Sequence, residues 1–325
     1  MTGLRRIGPV VLPRIARRTL RGLDVSASGP LGRRLVPAGP GRELAAVEAG
    51  SGQPVILIHG ALTLIDDMVL GPFDALAQRY RVAAFDRPGY GGSERLSPAD
   101  ATPWAQAALI HDAAVAMGLE RPVVAGHSFG GAVAVAYGLL FPEETAGVVA
   151  MAPIVLPEPR LELFLFGPRA TPMYGGILAR QSRATIDRAL LPILWRAMFL
   201  PQKMPDRYLR DFPFDLCARE ETTIAEGEEA VAIASSLWRS VWSYPTMKPP
   251  MVILAGDSDV VINNTLHSAM LSRLAPRSRM ISLRGMGHML HHFEIDAVIG
   301  AIEECVASPT AGAGARIETA ARIAI

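Results

Sequence analysis

One stretch limits the fold more than any other: Val123, Val124 and Ala125, then Gly126-His127-Ser128-Phe129-Gly130, then a small apolar run over 131–137. The first three residues read as a fully buried strand, and 132–137, free of Pro and Gly, as a helix packed on it. A strand that turns directly into a helix bends sharply at the residue between them. Gly126 and Gly130 supply the room, one by lacking a Cβ beneath the turn, the other by letting helix and strand approach closely. The bend lifts the Ser128 hydroxyl clear of the sheet edge. The helix N-terminus, whose free N–H groups favour negative charge, then points at it. Ser128 is therefore the candidate nucleophile.

The surrounding chain supplies a sheet for that bend. Strands are expected over 43–48, 54–58, 82–85, 147–151, 251–255 and 279–283. Helices are expected over 65–80, 103–117, 129–141, 264–274 and 290–306. Strands alternating with helices give an α/β protein, a mostly parallel, doubly wound sheet covered on both faces. The alternation stops between 154 and 246, where Pro157, Pro159, Pro168, Pro172, Pro192, Pro201, Pro205 and Pro213 punctuate a helix-like segment rich in large apolar side chains. That segment reads as an inserted helical cap. The expected organisation is a basic arm at 1–34, a core at 35–153 and 247–306, the cap at 154–246, and a flexible tail at 307–325.

Half of the 325 residues are hydrophobic, enough for a large core, and the net charge of +1 gives no case for nucleic acid. The charge is uneven: residues 1–38 hold eight arginines and one acid, a local +7 that leaves −6 for the rest. The arm reads as a mobile basic tail, with a weak contact between a short amphipathic helix and an anionic membrane surface as the alternative. No secretory signal is expected, because the apolar part, 7–12, is short and contains Pro9. Two cysteines, Cys217 and Cys305, are too few for a disulfide framework, so a cytoplasmic setting is expected, peripheral to the membrane if the arm binds one.

A serine hydroxyl is a weak nucleophile until a base takes its proton, and the base needs a carboxylate to hold its tautomer. Both follow Ser128, each after a strand: Gly256-Asp257-Ser258-Asp259 after 251–255, and Gly287-His288 after 279–283. Ligands bind at the carboxyl ends of strands in open α/β sheets, so three separate elements converge on one edge.

The chain from about residue 35 to 305 resembles the α/β-hydrolase superfamily, in the capped group that includes esterases, haloperoxidase-type perhydrolases and C–C bond hydrolases. His59-Gly60, the loop Asp86-Arg87-Pro88-Gly89-Tyr90-Gly91-Gly92-Ser93, the Ser128 turn, Gly256-Asp257-Ser258-Asp259 and Gly287-His288 carry the resemblance. It implies an α/β-hydrolase fold with a Ser128–His288–Asp259 triad. The family spacing G-x-x-D favours Asp259 over Asp257, and Ile262 stands where the family often has Pro. An oxyanion hole is implied from the backbone N–H groups of Phe129 and Ala61, with Leu62 the second choice for the latter. Haloalkane dehalogenase and epoxide hydrolase relatives carry Asp where Ser128 stands, which disfavours their chemistry.

His59 is expected to hydrogen-bond behind the oxyanion loop, and His127 to be structural. His288, His291 and His292 have helical spacing but no accompanying Cys or H-E-x-x-H glutamate, so no metal is expected, and no cofactor. The glycines at 89, 91 and 92 read as a turn. The resulting expectation is a serine hydrolase for a small to medium, largely apolar ester, thioester or lactone. Perhydrolysis or C–C hydrolysis on the same triad, and a non-catalytic ligand-binding protein of the same fold, are the alternatives.

Overall fold

A computed structural model of the chain describes residues 32–308 and 316–320. Nine strands form one sheet in these residues: β1 (Arg34–Pro37), β2 (Glu43–Ala49), β3 (Pro54–Ile58), β4 (Arg81–Phe85), β5 (Val123–His127), β6 (Gly147–Met151), β7 (Met251–Gly256), β8 (Ser278–Leu283) and β9 (Arg316–Ala320). Their order is β1-β2-β4-β3-β5-β6-β7-β8-β9. β2 runs antiparallel to both its neighbours, and every other pair is parallel. The central strands are continuous apolar runs because both of their faces are covered: β5 and β6 are buried at every position.

The helices of eight residues or more are α1 (Pro103–Ala116), α2 (Phe129–Leu140), α3 (Gly175–Ala184), α4 (Ile186–Met198), α5 (Glu220–Ser243), α6 (His267–Leu274) and α7 (Ile295–Ala307). α1, α2 and α6 share one apolar core with one face of the sheet. α7 and the broken helix after β3 share the other. That broken helix was expected to run unbroken over 65–80. It kinks at Gly71 (φ −97°, ψ −117°) beside Pro72, whose ring removes a helix N–H.

Three boundaries differ from the sequence reading. Arg33 belongs to the body: its side chain is buried, paired with Asp66 and 3.8 Å from Asp86. Two carboxylates inside the fold need a cation, so the arm gives up Arg33 to the core. The remainder of the arm, 1–31, lies outside the described residues. The expected tail contains β9, which pairs in parallel with β8 from Arg279↔Arg316 to Leu283↔Ala320 and covers what would be an open edge. The expected cap segment ends in α5, whose second half is core. Trp104 Nε1 in α1 donates to Ser240 Oγ at 3.0 Å, and Arg239 stacks over the Trp104 ring. Among the described residues no helix is long and apolar enough to cross a membrane.

Candidate active site

The chain order reverses around β3, which has β4 on one side and β5 on the other. Crevices of this kind, outside the carboxyl ends of strands, are where open α/β sheets bind ligands. The loop after β3 brings Ala61 and Leu62 there, and the end of β5 brings Ser128.

Ser128 sits at φ 54°, ψ −115°, a conformation in which an L-residue is strained. The strain is held in place by packing and hydrogen bonds. A Cβ on Gly126 would lie 2.0 Å from the Gly130 carbonyl oxygen, and one on Gly130 would lie 2.4 Å from that of His59. No other residue type fits either position. The Ser128 N–H donates to the Met151 carbonyl on β6 (2.9 Å), and its own carbonyl accepts from the Gly131 and Ile154 N–H groups.

The structure brings His288 and Asp259 together and leaves Asp257 outside. His288 Nδ1 lies 2.9 Å from Asp259 Oδ2. Asp259 Oδ1 accepts from the Val261 and Ile262 N–H groups at 2.8 and 2.9 Å. Burial works to raise the Asp259 carboxyl, but His288 and the two backbone donors outweigh it, so it stays below the usual carboxylate value. Asp257 instead caps the loop, accepting from Ser258 Oγ and the Gly285 N–H. Ser128 and His288 line one cavity of about 320 Å³. No hydrogen bond joins their side chains among the described residues.

His127 does more than pack. Its Nε2 donates to the His288 carbonyl at 3.0 Å, so the residue before the candidate nucleophile anchors the backbone of the candidate base. Burial, then the nearby His291 and His288 rings, hold the His127 ring well below its ordinary pKa, and it stays neutral. His59 lies behind the loop that carries Ala61: Nδ1 donates to the Gly60 carbonyl (2.9 Å) and Nε2 accepts from the Arg87 N–H (3.0 Å).

The Ala61 and Phe129 N–H groups have no partner among the described residues. Leu62, the second choice, is already taken. Its N–H donates to Glu226 on α5, and its carbonyl accepts from Trp195 Nε1 (2.9 Å) and Cys217 Sγ (3.1 Å). All three partners come from the helical insertion, so the insertion itself holds the loop that carries Ala61. Leu62 is held at φ 54° by these bonds. Glu226 is fully buried. Burial first, then the neighbouring Glu229, push its carboxyl far up, whereas Arg87 and Arg95 keep Glu229 ionised. Arg87 Nη1 reaches Glu229 at 2.6 Å and Tyr90 Oη donates to it at 2.7 Å. The glycines at 89 and 91 do form a turn, at φ 92° and 52°, and that turn also carries Arg87 and Tyr90 into a buried ion-pair cluster between core and insertion. Nothing in the sequence singles out Glu226, which stands beside Glu228 and Glu229 in the segment read as a helical cap.

One cluster among the described residues has metal-ligand character: Asp67, His291 and His292, whose ligand atoms lie within 4.8 Å of one another. Here the two rings act as hydrogen-bond partners of the carboxylate, His291 Nε2 to Oδ2 at 3.1 Å and His292 Nε2 to Oδ1 at 2.8 Å. His291 Nδ1 has no partner, so it lacks the outer acceptor that metal-bound histidines normally carry.

The cavity over Ser128 is lined mainly by Leu161, Leu165, Phe166, Leu194, Met198 and Val261. Its polar edge is Arg160, held between Glu158 and Glu162 at 2.8 Å each, which leaves that edge with a net charge of −1.

A strained serine between β5 and α2, facing a His–Asp pair from the ends of two neighbouring strands, is the architecture of a hydrolase of the α/β class. The match of residues 55–301 to the alpha/beta hydrolase family places the chain in that family. It is 32% identical over 136 residues to a rice (Oryza sativa subsp. japonica) probable 1-acylglycerol-3-phosphate O-acyltransferase, covering 41% of this chain and 30% of that one. It is 31% identical over 111 residues to a 2-hydroxy-6-oxo-6-phenylhexa-2,4-dienoate hydrolase of Burkholderia cepacia, covering 33% and 38%. The chain thus spans about a third of the length of these curated relatives. The enol-lactonase of Burkholderia xenovorans LB400 shares its fold, with a TM-score of 0.66 at 18% identity, covering 84% of this chain and all of that one.

Proposed function

We propose that the protein is a serine hydrolase that cleaves a small to medium, uncharged apolar ester, thioester or lactone through an acyl-enzyme. The observation that carries this reading is the strained Ser128 in one cavity with a His288 ring whose Nδ1 is held by buried Asp259. In the first half-reaction Ser128 Oγ attacks the carbonyl carbon while His288 Nε2 takes its proton. Asp259 keeps the remaining ring proton on Nδ1 and stabilises the imidazolium. The carbonyl oxygen gains charge as the tetrahedral intermediate forms and accepts from the free N–H groups of Ala61 and Phe129, at the start of α2. His288 then protonates the departing alcohol or thiol. Water repeats the sequence on the acyl-enzyme and returns Ser128 to its starting state.

The apolar cavity and its −1 edge favour a neutral substrate. An anionic dienoate of the kind named for the Burkholderia cepacia relative would meet Glu158 and Glu162 with Arg160 already engaged. C–C hydrolysis of such acids is therefore the less favoured use of the triad. Ser128, rather than an aspartate, supports an oxygen-ester mechanism over the alkyl-ester route of epoxide hydrolases.

Intact-mass spectrometry after treatment with a fluorophosphonate tests the reading. One adduct on wild type and none on Ser128→Ala is expected, with turnover of p-nitrophenyl butyrate lost in the same variant. A folded wild type that takes no adduct and turns over no ester would refute it and favour a non-catalytic ligand-binding role.

A further inference from the structure

α4 has two walls. Leu194, Ala197 and Met198 line the cavity over Ser128, whereas Arg188, Leu191, Trp195 and Arg196 line a second cavity of about 590 Å³. No lining residue is common to the two. The second cavity is as large as small-molecule sites usually are, roughly 300–1,000 Å³. It lies wholly within the insertion, and the catalytic reading makes no use of it.

Its chemistry is divided. The floor is apolar, built from Leu191, Trp195, Met204 and Phe214, with the Trp195 and Phe214 rings 4.8 Å apart. The rim carries Arg183, Arg188 and Arg196, all exposed, and none has an ion pair or side-chain hydrogen bond among the described residues. Two acids lie nearby. Asp187 is fully used by Arg169, which grips both of its oxygens at 2.5 and 2.9 Å, so Asp215 alone remains to oppose three guanidinium groups. The rim therefore carries a net charge of about +2 from groups whose planar N–H forks suit a carboxylate. A small inorganic anion would leave the floor wet, and a neutral hydrocarbon would leave the arginines unused.

We infer that this cavity is a binding site for an amphiphilic monoanion, a carboxylate with a medium-length aliphatic chain. The head group pairs with Arg188 and Arg196, and the chain lies along Leu191, Trp195 and Phe214. The site stands independently of the reaction at Ser128. Trp195 reports on it, since its ring forms the floor while its Nε1 is fixed to the Leu62 carbonyl.

The test titrates the full chain with decanoate below its micelle concentration, following tryptophan fluorescence and thermal stability, with Trp195→Phe to assign the signal. Decanoate should quench Trp195 and raise Tm. It should bind at least about tenfold more tightly than decanol or acetate, the scale of one charge-assisted hydrogen bond. Arg188→Gln/Arg196→Gln, which removes two exposed and unpaired side chains, should keep its fold and lose at least that factor for decanoate while binding decanol as wild type does. Equal binding of decanol and decanoate would overturn the inference. So would unchanged decanoate binding by the double variant, which would put the ligand in the Ser128 cavity, or no binding at all.

Discussion

Replacing Glu226 with alanine tests whether the insertion supports catalysis from a distance. The variant removes the acceptor of the Leu62 N–H, which has no other partner among the described residues. The lost bond and the stranded N–H together cost about 1.5–3 kcal/mol. Part of this is offset, because Glu226 sits against ionised Glu229 and burial of the pair is unfavourable. The net loss of stability should be modest, about 1–2 kcal/mol. The effect on rate should be larger in proportion. Leu62 at φ 54° needs its clamps, and with one gone the neighbouring Ala61 N–H moves off the developing oxyanion. Full loss of one such donor lowers kcat by about 10²–10³-fold, so partial displacement should lower it by about 10–100-fold with KM changed less than about threefold. Glu226→Gln keeps a carbonyl for Leu62 and should retain kcat within about threefold. Burial pushes the Glu226 carboxyl up to about 8 with Glu229 adding to it, so wild type should also show an inflection in kcat near that pH that Glu226→Gln lacks. The assay is p-nitrophenyl butyrate hydrolysis from pH 6 to 9, beside the rate of fluorophosphonate labelling. A folded Glu226→Ala protein with wild-type kcat, or one changed only in KM, would refute the reasoning.

Three further outcomes follow from the same geometry. Asp259→Asn should keep the fold but lower kcat by roughly 10³–10⁴-fold, because an amide can donate to Nδ1 and so favour the wrong tautomer; activity within tenfold of wild type would assign the acid elsewhere. Gly126→Ala forces a Cβ against the Gly130 carbonyl and should lower stability by about 3 kcal/mol or more, a fall in Tm on the order of 6 °C measured by calorimetry. Burial holds the His59, His127 and His291 rings below their ordinary pKa. Below about pH 6.5 the unfolded chain binds protons that the folded rings refuse, so the three rings lower stability by up to about 4 kcal/mol per unit as pH falls. Glu226 opposes this in part, because its raised carboxyl takes up its proton more readily in the folded state. Tm should therefore drop between pH 7 and 5.5, and a flat profile would contradict it.

Much of the layout of the candidate site was legible because local chemistry encodes it. A buried run ending in Gly126-His127-Ser128-Phe129-Gly130 allows few structures, and an acid and a histidine after later strands complete the set. Choosing Asp259 over Asp257 needed the family spacing, since both follow β7 and only the tertiary fold turns one towards His288. The clamp on Leu62 left no local trace. Glu226 lies 164 residues away and Trp195 133, on helices whose patterns are explained equally well by solvent and by their own core. Arg87 was hidden by its Gly/Pro-rich setting, which reads as a surface turn although the guanidinium is buried. β9 escaped because its Ala/Gly-rich flanks outweigh five residues.

The helix Glu220–Ser243 has a consequence for protein engineering. At about 1.5 Å per residue it is roughly 36 Å long, meeting the loop that carries Leu62 through Glu226 in its first half and Trp104 through Ser240 near its end, just before β7. It is at once the last piece of the insertion and the crossover that returns the chain from β6 to β7. A chimera that exchanges the whole of 154–246 would discard the helix that packs on Trp104 and leads the chain into β7. A splice placed before Glu220 would retain it with Glu226, and an exchange of 154–219 keeps the hold on Leu62 when the incoming segment supplies donors in place of Trp195 and Cys217.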